Sequence, residues 1–133
     1  MSISLLRAGL AKNLQTIKGL RVVETLPDLV NPPMAMIGLN KITYNQQNQR
    51  SMAEYAFQVT VVLGRVSERT AQANMDVYVA PAQGSVKFAL ESDRTLGGNA
   101  FDVFVPELSA IGAVQINGID YFSAEFSVQV FAR

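Results

Sequence analysis

The chain has no cysteine and no histidine among its 133 residues. Without cysteine there is no disulfide framework and no thiol chemistry, and the redox compartment is left open. Without histidine the commonest general base, the commonest metal ligand and the usual partner of a catalytic serine or cysteine are all missing. Charge is also scarce. Charged residues make up 17% against 49% hydrophobic, and eleven basic residues balance eleven acidic ones. That balance excludes a disordered chain and gives no electrostatic case for nucleic-acid or membrane-surface binding. No Lys/Arg run exists. No segment approaches the ~18 apolar residues a membrane span needs. Arg7 and Lys12 interrupt the apolar N-terminus, which argues against a signal peptide, so the expectation is a soluble protein.

What is present is core-forming pattern. The length suits one domain, 1–133, with a proper core. Its centre is Tyr55–Leu63, where Tyr55, Phe57, Val59, Val61 and Leu63 alternate with Ala56, Gln58, Thr60 and Val62. A period of two, rich in aromatic and β-branched residues, predicts a strand with one buried face, extending over roughly 53–65. Before it, residues 2–18 read as a helix capped by Ser2 or Ser4 and closed near Lys18 and Gly19. Its stripe is Ile3, Leu6, Leu10, Leu14 and Ile17. This helix covers its own sheet in one reading and a membrane or partner in another; the first is favoured.

Leu20–Leu26 predicts a strand ended by Pro27, with Leu20, Val22 and Leu26 on one face. Three prolines make 27–33 a connection. Met34–Leu39 is apolar at nearly every position, which calls for cover on both faces, and Lys41–Tyr44 extends it. The polar run Asn45, Gln46, Gln47, Asn48, Gln49 and Arg50 is a loop. It is either an ordinary hairpin loop or a partner-facing loop that orders on assembly.

Ser67 is placed to cap a second helix over 68–79, with Ala71, Met75, Tyr78 and Val79 facing inward and Pro81 beyond its end. A short helix over 86–93 follows, with Val86, Ala89 and Leu90 inward and Glu91 and Asp93 solvated. Gly97-Gly98 lies in a turn. It lacks both Gly-x-Gly-x-x-Gly and Gly-Lys-Ser/Thr and leads into a strand, so it is no phosphate loop. Asn117-Gly118 between apolar segments predicts a type I′ hairpin. An unbroken register pairs Ile116 with Ile119, Ala113 with Phe122, Ile111 with Ala124, Ser109 with Phe126 and Val105 with Val130. One face then collects Val103, Val105, Ile111, Ala113, Phe122, Ala124, Phe126, Val128 and Val130. The other takes Tyr121, Ser123, Glu125, Ser127 and Gln129. Pro106 and Gly112 are the places where a bulge would break this ladder. The order predicts an α+β domain: a mainly antiparallel sheet of about five strands, with an N-terminal helix and two further helices on one face.

Chemistry is sparse in this pattern. No nucleophile–base pair, nucleophile elbow or calcium loop exists. Glu107, Asp120 and Glu125 are the carboxylates available to a two-carboxylate mechanism, and nothing in the sequence draws them into one cleft. The expectation is no enzyme, no cofactor and no metal site, with a small ligand-binding or enzyme domain as the alternative of another class.

The motifs resemble, from end to end, a family of tail terminator (tail-completion) proteins of long, non-contractile-tailed bacteriophages. The matching segments begin with Leu5-Leu6-Arg7-Ala8-Gly9-Leu10, Gly19-Leu20-Arg21-Val22 and Asn31-Pro32-Pro33-Met34-Ala35-Met36-Ile37-Gly38. Ile42-Thr43-Tyr44, Glu54-Tyr55 and Val62-Leu63-Gly64-Arg65 follow. Arg69, Ala71-Gln72, Tyr78-Val79-Ala80-Pro81, Ser85-Val86-Lys87 and Ala89-Leu90-Glu91 come next, then Thr95-Leu96-Gly97-Gly98, Tyr121 and Ala124. The motifs are structural, and their order and spacing carry the likeness. The amide-rich loop departs from the pattern. The resemblance implies a non-catalytic virion protein at the head-proximal end of the tail, assembled in the host cytoplasm. It would be a homohexamer ring that stops polymerisation of the major tail tube protein and presents a joint to the head–tail connector or stopper protein. DNA would pass through the ring without specific binding. A connector or minor tail protein of similar fold is the neighbouring alternative. Asn45 to Arg50 is the candidate partner interface.

Overall fold

The structure, a computed structural model, describes residues 3–17, 20–23, 33–44, 53–65, 69–80 and 85–132. Helix α1 (Ile3–Leu14) comes first, followed by strands β1 (Arg21–Val23), β2 (Met34–Tyr44) and β3 (Ala53–Arg65). Helices α2 (Arg69–Val79) and α3 (Val86–Leu90) come next, then a 3-10 turn at Leu96–Gly98. Strands β4 (Asp102–Ile116) and β5 (Ile119–Ala132) complete the order. The five strands form one sheet in the order β1-β2-β3-β5-β4. Only β1 and β2 are parallel, so the sheet is mixed but mostly antiparallel, and the fold is α+β as the pattern predicts.

The alternation in β3 decides which side the helices take. Phe57, Val59 and Val61 are essentially fully buried, and they share one core with Leu6, Leu10 and Leu14 of α1, Tyr78 of α2, and Val86 and Leu90 of α3. Burying each such side chain is worth about 1.5–3 kcal/mol, so this face outweighs helix propensity in holding the short helices. Ile3 and Ile17, the ends of the predicted stripe, pack half-buried against the same core.

Local side-chain bonds to the backbone trim the helix ends. Ser4 lies within the first turn of α1, not at its cap. The helix stops at Leu14, where Thr16 turns both its hydroxyl (2.7 Å) and its N–H (3.2 Å) onto the Asn13 carbonyl. Asn13 itself is buried and donates from Nδ2 to the carbonyls of Leu90 (3.0 Å) and Asp93 (3.1 Å), tying α1 to the far end of α3. Helix α3 ends at Leu90, short of the predicted Asp93, because Ser92 folds its hydroxyl onto the Ala89 carbonyl at 2.6 Å. Ser85 is its N-cap and accepts from Phe88 N–H.

Two glycines set close approaches. A Cβ on Gly9 of α1 would lie 2.8 Å from Leu96 Cβ, so only glycine lets the 3-10 turn seat against the helix. Leu96 is 2% exposed at a positive φ of 50°, a backbone cost that its burial offsets. In β3, Leu63 is an extra residue between the Val62–Ser123 and Gly64–Phe122 pairs. Gly64 has a φ of 155°, and a Cβ there would meet Ala71 of α2 at 3.1 Å.

The hairpin register holds at its tip. Ile116–Ile119, Ala113–Phe122 and Ile111–Ala124 pair as predicted, and Asn117 and Gly118 both have positive φ. Further along, two bulges correct the expectation. Leu108, not Ser109, faces Phe126, because Ser109 is extra and sends its hydroxyl to the Glu125 carbonyl. Val103, not Val105, meets Val130, because the ladder slips again between Phe104 and Glu107 around Pro106. Proline cannot donate to the ladder, which explains that position. Gly112 stays in register opposite Ser123. Val105 uses its freed N–H to bind Glu91 Oε2 at 2.9 Å.

Two burial expectations also change. Ile111 is 51% exposed and Ala113 is exposed, although both share the helix-side face, because the helices end before reaching that part of β4. Phe122 beside them is half-buried.

Candidate interaction surfaces

The open side of the sheet is built by the even positions of β3 and the odd positions of β5. Glu54, Ala56, Gln58 and Thr60 stand beside Glu125, Ser127 and Gln129, all half-buried. Across these central positions there are two carboxylates and no cation. Asn40, the bulge residue of β2, donates to Gln58 Oε1 at 2.9 Å over this surface.

At one end the open side turns apolar. Met34, Val62 and Tyr121 are buried there, with Val23, Met36, Val114, Ile116 and Ile119 packed around them. Thus Met34–Leu39 is covered on both faces at its start, where Met34, Ala35 and Ile37 are all buried. Gly38, Asn40, Lys41, Thr43 and Tyr44 are exposed, while Leu39 and Ile42 are half-buried against the helix-side core. Near the other end Phe104 and Phe131 stack with ring centroids 5.8 Å apart, and the exposed Phe101 donates its N–H to the Phe131 carbonyl at 2.7 Å. Alternation with Val103 and Val130 places Phe104 and Phe131 on the open side.

The ionic groups are used locally. Partial burial pushes the Glu91 carboxyl up, but hydrogen bonds from Lys87 and the Val105 N–H outweigh it and hold the pKa below the usual carboxylate value. A bidentate pair joins Arg94 to Asp102, Nε to Oδ1 at 2.7 Å and Nη2 to Oδ2 at 3.1 Å; it lowers the Asp102 carboxyl and raises Arg94. Asp93 is lowered by accepting from the Thr95 hydroxyl and from the N–H groups of Gly97 and Thr95.

The three carboxylates available to acid–base chemistry do not converge. Glu107, opposite Ser127, is exposed, and Glu125, opposite Ala110, is half-buried; both lie on the open side. Asp120 faces Gln115 on the helix side, beyond the helices. Among the described residues no cluster of three His, Cys, Asp or Glu side chains is placed to hold a metal ion, and no helix is long and apolar enough to cross a membrane. The candidate loop Asn45–Arg50 lies outside the described residues. Its flanks are closed by the Tyr44–Ala53 pair, where Tyr44 is 71% exposed. Ser2, Lys18, Gly19, Leu26, Pro27, Ser67 and Pro81 also fall outside.

No protein-family model and no curated protein matches the chain. Among the described residues no helix packs on the open side of the sheet, and β1 and β4 are its edge strands.

Proposed function

We propose that the chain is a structural virion protein of a long-tailed phage. It forms a homohexameric ring on the head-proximal end of the tail tube, ends tube polymerisation and offers a joint to the head connector. The observation that carries this reading is the succession of motif segments, in order and spacing, along nearly the whole chain.

The architecture supports it in two ways. Among the described residues the helices pack on one side, which leaves the polar centre of the other side and two edge strands to meet other chains. On its two central strands that surface carries only the carboxylates Glu54 and Glu125 from Glu54 to Thr60 and from Glu125 to Gln129, with Lys41 and Glu107 beside them on β2 and β4. So low a charge suits a channel through which a polyanion slides without sticking. The work is done by surface complementarity, without catalysis or cofactor. The loop Asn45–Arg50 meets a neighbouring subunit or the tube protein.

Tail length read by electron microscopy, with and without a working copy of the gene, tests the reading. Overlong tubes and unattached heads in its absence support a terminator. Complete tails of normal length that fail to join heads point instead to a connector, and wholly normal particles overturn both. Deletion of residues 45–50 with no loss of head attachment overturns the assignment of that loop.

A further inference from the structure

We propose that the two sheet edges join one copy of this chain to the next, with β1 of one copy adding as an antiparallel strand outside the distal half of β4 of its neighbour. The inference deepens the ring reading, on which it rests for self-association, and names the surfaces that make the contact.

Edge strands are normally guarded by charge or proline. In β4 the guards, Pro106 and Glu107, stand at the proximal half, and from Leu108 to Ile116 there is neither. The type I′ turn makes Ile116 and Ile119 a hydrogen-bonded pair. Counting back, Val114, Gly112 and Ala110 turn their peptide groups to β5, while Gln115, Ala113 and Ile111 turn theirs outward. Among the described residues no further backbone hydrogen bond engages these outward groups.

The opposite edge matches. Arg21 N–H donates to the Pro33 carbonyl at 3.1 Å. In a parallel ladder this turns Arg21 and Val23 to β2 and leaves Val22 pointing its N–H and C=O away from the sheet.

Both edges open at the same level. The pairs Val22–Ala35, Ala35–Val61, Val61–Ala124 and Ala124–Ile111 form one row across the helix-side face. The strand directions make β1 and β4 antiparallel, so a copy set edge to edge with its helices on the same side presents β1 correctly. With Val22 against Ile111, the apolar row continues from chain to chain. Arg21 then falls opposite Gly112, where nothing lies within 4 Å of a Cβ position. Glu125 sits diagonally beyond it on the same open side. Arg21 is exposed at one edge, Glu125 lies one strand in from the other, and neither has an ion pair among the described residues. The edges are therefore complementary in backbone, apolar side chain and charge.

The absence of native cysteine makes the contact directly readable. Arg21 and Gly112 would form a non-hydrogen-bonded antiparallel pair with Cα atoms about 4.5 Å apart, within disulfide reach. Chains carrying Arg21→Cys and chains carrying Gly112→Cys are mixed and air-oxidised. A crosslinked dimer is expected in the mixture and in neither variant alone, and both substitutions in one chain should give a ladder on a non-reducing gel. No crosslink while the unmodified chain sediments as an oligomer overturns the edge pairing and leaves the ring reading standing. An unmodified chain that sediments as a monomer, with no crosslink, overturns both. Crosslinking of Gly112→Cys alone places two β4 strands side by side and overturns the head-to-tail arrangement.

Discussion

The two sides of β3 are made by neighbouring residues and behave differently. Tyr55, Phe57, Val59 and Val61 point into the helices and are buried; Glu54, Ala56, Gln58 and Thr60 point the other way and are half-buried with no helix above them. A period-two strand can thus separate its stability from its surface, residue by residue. Val62 breaks the division. It is fully buried on the open side, in the separate cluster with Met34 and Tyr121. The open side is therefore a polar field with an apolar end.

The sharpest break of this contrast is Phe57→Ala. It removes the largest fully buried side chain of the helix-side core and is expected to lower unfolding free energy by about 3–5 kcal/mol in urea titration. Val62→Ala should cost about 1–3 kcal/mol although it faces away from every helix. A change below about 0.5 kcal/mol would mean that the open-side cluster adds nothing. Gly9→Ala raises intrinsic helix propensity yet should destabilise by about 1–3 kcal/mol, because the new methyl meets Leu96. A gain in melting temperature would show that the 3-10 turn can yield.

Glu91 is a smaller effect with a definite sign. Its folded pKa is depressed, so its contribution is present above the unfolded value and lost as pH falls through the folded one. Glu91→Gln should therefore flatten the stability loss on acidification and cost about 1 kcal/mol near neutrality. Thr60→Ala, on the polar field, should change stability by less than about 0.5 kcal/mol. Together with Val62→Ala, two positions apart on the same side, it locates where the apolar end begins.

Much of this was legible in the sequence. The bounds of β3, the helix-side alternation, the inward residues of α2 and α3, and the pairing nearest Asn117-Gly118 follow from local periodicity and turn chemistry. The bulges at Ser109 and around Pro106 did not. A proline signals that a ladder must break but not how many residues slip, nor that Glu91 takes the Val105 N–H that the slip frees. Ile111 is exposed against expectation because alternation tells which side a residue faces, not whether a helix reaches over it. The edges were illegible for a similar reason: strand order is a global property, and only with β1 and β4 outermost do Val22 and Ile111 become partners in one row.

The bond from Asn13 to the Leu90 carbonyl spans 77 residues, and the first pair of β3 with β5 joins Ala53 to Ala132. Both close loops that encompass most of the chain. Such topology places folding in the slow, millisecond-to-second class. At about 5–20 residues per second of synthesis, it also leaves α1 and β3 waiting several seconds on the ribosome for their partners. The apolar stripe of α1 is made before β3, α3 and the 3-10 turn against which it packs. For that interval the stripe is bare apolar surface of the kind that chaperones bind.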